Sequence, residues 1–93
     1  ALLKGANKMK LLFFSAGFCT NCGPAKKLVK SMNLDTIDFD ADKNPSEFKT
    51  YSVKGIPSLV LLDNNGVEIS RLTGKINQAN IESFLTQGGY HAE

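Results

Sequence analysis

Lys10-Leu11-Leu12-Phe13-Phe14-Ser15-Ala16-Gly17-Phe18-Cys19-Thr20-Asn21-Cys22 is the stretch that decides the fold. Lys10 to Ser15 is nearly all apolar and aromatic, the composition of a strand buried on both faces. Behind it come the chain's 2 cysteines, with Thr20-Asn21 between them. That spacing lets the two sulfurs meet on the first turn of a helix. There, backbone N–H groups and the helix dipole favour the thiolate, the form that attacks disulfides. The pair reads as a dithiol that cycles with a disulfide.

Working outward, the following segment is helical. Cys22, Ala25, Leu28 or Val29, and Met32 recur at helical spacing, with Lys26, Lys27 and Lys30 mostly off that stripe. Asn33 is a helix stop. Thr36 to Asp40 alternates Ile37 and Phe39 with Asp38 and Asp40, a short strand. Asn44-Pro45-Ser46-Glu47 predicts a helix start, with Asn44 as cap and Pro45 in the first position. Phe48 and Tyr51 face one way on this short helix, which ends before Gly55.

Ser58 to Asp63 is a further apolar strand. Asn65-Gly66 is a hairpin signal, and Val67 to Thr73 returns antiparallel. Asn77 caps the last helix, whose buried stripe is Ile81, Phe84 and Leu85, and Ile76 with Ile81 has the spacing of a hydrophobic staple. Gly88-Gly89 stops it, and Tyr90 to Glu93 reads as a frayed tail.

The order β-α-β-α-β-β-α predicts an α/β fold: a four-stranded mixed sheet flanked by helices. Strands joined through a helix are expected to be parallel, with a right-handed crossover. The cysteines fall at the carboxyl end of the first strand, where open α/β sheets place their sites.

Bulk properties bound the function. The 93 residues make a single domain, and 42% apolar content supports one core without room for a second. A net charge of +2, with 22% charged residues of both signs, describes an ordinary polar surface. The lysine stripe reads as a solvated helix face and not a nucleic-acid site, because no aromatic residues are interleaved with it. No apolar stretch approaches the roughly 18 residues that span a membrane. The N-terminal Ala1-Leu2-Leu3-Lys4-Gly5 lacks the ordered regions of a signal peptide, and one close cysteine pair adds little stability, so a reducing cytoplasm is the expected compartment. Met9 opens the strand-like run and is read as a candidate start, with residues 1 to 8 an upstream extension.

In this order the motifs resemble the thioredoxin family. Phe14-Ser15-Ala16-Gly17-Phe18-Cys19 is similar to its strand leading into the site, Asp42-Lys43-Asn44-Pro45 to its turn into the next helix, Gly55-Ile56-Pro57-Ser58 to its segment with a cis proline facing the cysteines, and Asp63-Asn64-Asn65-Gly66 to its hairpin. The resemblance covers about residues 9 to 87, the expected core. There are departures. The family's usual Gly-Pro between the cysteines is Thr20-Asn21 here, with Gly23-Pro24 just behind. Its buried acid, six residues before the first cysteine, is Phe13, and its tryptophan four before is Ser15. Its first strand and helix have only residues 1 to 8 to correspond to. The short length is similar to glutaredoxins, but the residues that would hold glutathione are not evident.

The resemblance implies a protein disulfide reductase with no cofactor. Cys19 is its exposed nucleophile and Cys22 the buried resolving thiol. Its partners are disulfide-bearing proteins and a thioredoxin reductase or similar electron donor, with no nucleic acid and no membrane. A cis Ile56–Pro57 bond is expected, turning the backbone so that Ile56 can hydrogen-bond an extended substrate. Phe18, Ile56 and Gly74 are expected to rim the site. Asp38 is the candidate proton acceptor for Cys22, with a pKa raised by burial. The alternatives are a glutathione-dependent enzyme and a binding module. Zinc is disfavoured because it needs four ligands and the only other soft candidate is His91.

Overall fold

A computed structural model describes residues 9–90. The expectations for residues 1 to 8, for His91 and for the end of the tail lie outside the described residues. The elements run β1 (Lys10–Ser15), α1 (Cys22–Ser31), β2 (Ile37–Asp40), α2 (Pro45–Thr50), β3 (Ser58–Leu62), β4 (Glu68–Thr73) and α3 (Gln78–Gln87). The four strands form one sheet in the order β2-β1-β3-β4.

Period-two alternation divides the buried strands between two cores. Leu11 and Phe13 of β1 join Leu59 and Leu61 of β3 on the face covered by α1 and α3, with Ala25, Val29, Ile81 and Phe84. Leu12 and Phe14 join Val60 and Leu62 on the other face, where Phe39, Phe48, Tyr51 and Ile56 pack around α2. β1 and β3 are central in the sheet, so both of their faces are covered, and the continuous apolar runs have this cause.

The expectation for strand direction needs one correction. β1 and β2 are parallel across α1, but β3 runs antiparallel to β1 although a helix leads into it. The crossover rule applies to parallel strands of a βαβ unit, and the six-residue α2 reverses the chain without setting up such a unit. Ile37 also departs from its apolar reading. It lies on the edge strand β2 and is 45% exposed.

Local signals held where a side chain had one available partner. Asn77 accepts from the Asn80 N–H at 2.8 Å and caps α3. Asn33 takes the left-handed conformation (φ 59°) that ends α1. Asn44 stands at the N-cap of α2, with Pro45 behind it as expected, but makes no side-chain cap bond. Its Oδ1 accepts from the Asp40 N–H at 3.0 Å and ties β2 to the helix start instead. The hairpin is wider than a two-residue turn. The Gly66 N–H bonds Asp63 O, the Asp63 N–H bonds Val67 O, and Gly66 takes φ 83°. This is a turn closed by a left-handed glycine, with the Asp63 carboxylate accepting from Asn65 and Val67. Val67 therefore belongs to the loop and β4 starts at Glu68.

Candidate active site

Strand register gathers three loops at one end of the sheet. Phe14 pairs with Ser58 and Ser58 with Thr73, so the residues after β1, before β3 and after β4 share one edge. These are the Ala16–Asn21 loop with the first cysteine, the Gly55–Pro57 segment, and Gly74. The Gly74 N–H donates to Pro57 O at 3.0 Å and joins the last two directly. Gly74 has φ 90°, a conformation that favours glycine. Beneath them the fully buried Ser58 donates to Gly55 O at 2.5 Å and lies 3.0 Å from the Thr73 hydroxyl, so its polar atom is satisfied.

Cys19 and Cys22 are joined as a disulfide, with Cα atoms 5.5 Å apart, an ordinary spacing for such a bond. Their surroundings differ. Cys22 is 5% exposed and packs as the first residue of α1, whereas Cys19 is half-buried in the preceding turn, its N–H bonded to Ala16 O. The helix starts a few residues later than expected, with Asn21 as N-cap. Asn21 makes no side-chain cap and no acid occupies the first turn, so no local anion competes for the positive end of α1.

Phe18, beside Cys19, is 75% exposed. Ile56 is half-buried against the α2 core, Pro57 is fully buried, and the Ile56–Pro57 bond is cis. Ile56, Pro57 and Gly74 are thus held together at the sheet end that also carries the cysteine loop.

Asp38 differs from its expectation. It pairs in register with Phe13, on the side of the sheet facing α1. Its carboxylate accepts from the Lys26 ammonium and from the Thr36 hydroxyl at 2.7 Å, and its side chain is 40% exposed. Burial acts to raise its pKa. Bonds from Lys26 and Thr36 and the charges of Lys26 and Lys30 outweigh that, and the carboxyl sits below its ordinary value of 3.8. A carboxylate held ionised by a lysine is a weaker base, which corrects the expectation of a raised pKa. Among the described residues Ser58 is the one fully buried polar side chain, so no buried acid stands behind Cys22. Among the same residues, no group of three or more His, Cys, Asp or Glu is placed to hold a metal, and no helix is long and apolar enough to cross a membrane.

Sequence reasoning missed two polar contacts near the site. One is the Lys26–Asp38 pair. The other is Arg71, which binds Glu68 and two carbonyls at the end of α2. Arg71 is the only arginine in the sequence, among 11 basic residues, and that rarity was the available signal.

The relatives agree with this architecture. A profile of the thioredoxin family matches residues 1–87. Thioredoxin H2 of Arabidopsis thaliana is 30% identical over 77 residues, covering 77% of this chain. A thioredoxin of Acidithiobacillus ferridurans is 27% identical over 73 residues, 69% of this chain and 67% of that protein. The chain spans 57% of the length of the Arabidopsis relative. The crystal structure of a thioredoxin from Nicotiana alata superposes with a TM-score of 0.77 at 22% identity, covering 88% of this chain and 74% of that one. Matched from residue 1 to residue 87, and folded with its cysteines at the carboxyl end of β1, the chain belongs to the thioredoxin family.

Proposed function

We propose that this protein reduces disulfide bonds in other proteins through the Cys19/Cys22 couple. The observation that carries this reading is the asymmetry of the pair: one half-buried cysteine in a turn, one buried cysteine at a helix start. The Cys19 thiolate attacks one sulfur of a substrate disulfide, forms a mixed disulfide and releases the other substrate sulfur as a thiolate. Cys22, deprotonated, then attacks the Cys19 sulfur. The Cys19–Cys22 disulfide forms and the second substrate sulfur leaves. Two electrons pass from the dithiol to the substrate, and a partner reductase of the thioredoxin reductase kind restores the dithiol. A reducing cytoplasm suits such a cycle.

Phe18, Ile56, Pro57 and Gly74 form the docking rim in this reading. An extended substrate segment lies along the Ile56 backbone, and the missing side chain at Gly74 leaves room for its main chain.

The test combines turnover and trapping. The protein with dithiothreitol reduces insulin, and Cys22→Ser accumulates a mixed disulfide that gel analysis detects without reductant. After limiting iodoacetamide, mass mapping finds the label on Cys19 ahead of Cys22. Preferential labelling of Cys22 would reverse the two roles. Fold without insulin reduction would leave a binding module, and recycling by glutathione but not by a flavin-dependent reductase would make it a glutaredoxin-like enzyme.

A further inference from the structure

The guanidinium of Arg71 sits where β4 meets the end of α2. Its Nε donates to Glu68 Oε2 at 2.8 Å and its Nη2 to Glu68 Oε1 at 2.7 Å, a two-pronged fork. The same guanidinium donates to Ser52 O at 3.2 Å through Nη1 and to Tyr51 O through Nη2. Tyr51 is the C-cap of α2, and its carbonyl is of the kind a helix C-terminus leaves without an intrahelical partner; Ser52 is the residue after it. A bulge makes the arrangement possible. Residues three apart on a regular strand point to opposite faces. Here Leu62 pairs with Glu68 and Leu61 with Ser70, so Ile69 is the extra residue, and Arg71 pairs with Val60. Val60 and Leu62 both belong to the α2 core, so Glu68 and Arg71 reach the same face.

What Arg71 grips is the origin of the docking segment. Ser52 takes φ 53°, a left-handed conformation in a residue other than glycine. The Ser52 N–H bonds Lys49 O and the Val53 N–H bonds Phe48 O, closing the helix and sending the chain towards Ile56–Pro57. At the far end, β4 holds the same segment again: the Gly74 N–H bonds Pro57 O, and a Cβ on Gly55 would stand 2.8 Å from Thr73 Cγ2. Segment 51–57 is therefore fastened to one strand at both ends, by Arg71 and by Thr73–Gly74.

We propose that Arg71, oriented by Glu68, is a positioning residue for the docking rim, fixing the turn at Tyr51–Ser52 from which Ile56 and Pro57 are presented to substrate. This rests on the rim described above. Small disulfides do not need an extended docking surface, so the effect is confined to protein substrates.

The experiment compares R71Q, R71K, E68Q and Ile56→Asp. It measures kcat and KM for insulin with dithiothreitol, and the rate at which the reduced protein reacts with 5,5′-dithiobis(2-nitrobenzoate). R71Q is expected to raise KM for insulin about five-fold, with the small-disulfide rate changed by less than about two-fold. R71K keeps the charge but not the fork and should fall between R71Q and wild type, and E68Q should move in the same direction as R71Q. R71K equal to wild type would make the effect one of charge and overturn the proposal. So would an unchanged KM in R71Q while Ile56→Asp raises it, an outcome that leaves the rim intact. If neither variant changes KM, the rim reading falls and the proposal with it. Parallel loss of the small-disulfide rate would reduce Arg71 to a structural part. Should R71Q not fold, R71K and E68Q decide by the same criteria.

Discussion

Against one face of the sheet, α1 and α3 bury Ala25, Val29, Ile81 and Phe84 almost completely over Leu11, Phe13, Leu59 and Leu61. Against the other, α2 buries no residue of its own, and the contact is made by rings. Phe14 lies edge-on to Phe48 at 5.0 Å between centroids, tilted to Phe39 at 5.2 Å and against Tyr51 at 6.0 Å. The site draws one half from each face. α1 carries Cys22, locked in by aliphatic burial, while the Ile56–Pro57 segment leaves α2, held by aromatic edges, Arg71 and a few main-chain bonds. The difference teaches that the cysteine helix and the Ile56–Pro57 segment are held by different physics. One is fixed by water exclusion, which is non-directional and strong. The other is fixed by directional polar contacts, which set geometry for little net energy.

Truncating a ring supplied by β1 on one side and by α2 on the other gives the largest contrast. Phe13 is 1% exposed within the α1/α3 core, whereas Phe48 is partly exposed over the α2 core. Phe13→Ala should lower unfolding stability by about 4 kcal/mol, and Phe48→Ala by about half as much, because its site already borders water. Urea unfolding of both variants measures this. Equal losses would show that the α2 face is as tightly sealed as the other and would break the comparison.

Two glycines sharpen it further. Gly88 is buried at the end of α3, and a Cβ there would run into the Leu61 side chain and stand 3.5 Å from Ser70 Cβ. Gly74, at the site end, has open space around its Cβ position but φ 90°. Gly88→Ala should therefore cost about 2 kcal/mol through overpacking, and Gly74→Ala about 1 kcal/mol through backbone strain. Thermal unfolding ranks the two. The reverse order would mean that Leu61 yields easily and that the α1/α3 face is looser than its burial implies.

The sequence was legible where one short-range pattern decides the structure. Lys10–Ser15 was readable in full because a central strand buried on both faces has no polar side to confuse the pattern. Asn33 and Asn77 act within their own turns. The cysteine pair is likewise local, and its chemistry follows from spacing. Legibility failed where a partner lies far along the chain. Asp38 invites the expectation of a pKa raised by burial because nothing nearby in the sequence shows that Lys26 of α1 lies across from it. The contacts of Arg71 were not legible because its carbonyl partners are 19 and 20 positions away and its pairing with Glu68 depends on a bulge. The direction of β3 was lost for a related reason: a six-residue helix does not fix which strand its successor joins.

The smallest expected effect separates the two ion pairs, one on each face. Asp38 sits below its ordinary 3.8 under the influence of Lys26, Thr36 and Lys30. Glu68 sits below its ordinary 4.5, through the Arg71 hydrogen bonds first and the Arg71 charge besides. A carboxyl whose folded pKa is depressed adds stability that is present above its unfolded pKa and is lost as pH falls through the folded one. Both pairs are partly exposed, so each contributes less than about 1 kcal/mol at neutral pH. Lys26→Gln should therefore be slightly less stable than wild type at pH 7, and the gap should close below pH 3.8, as Asp38 protonates. Arg71→Gln should behave differently. Protonating Glu68 removes the ionic part of its gap, but the bonds from Arg71 to Tyr51 O and Ser52 O do not titrate and persist in acid. Urea unfolding of the two variants and wild type from neutral pH to about pH 2.5 reads this as two curves, one converging on wild type and one staying below it. Convergence of both would mean that the carbonyl bonds add nothing, leaving α2 held to β4 by an ordinary surface ion pair and the Ile56–Pro57 segment without its polar anchor.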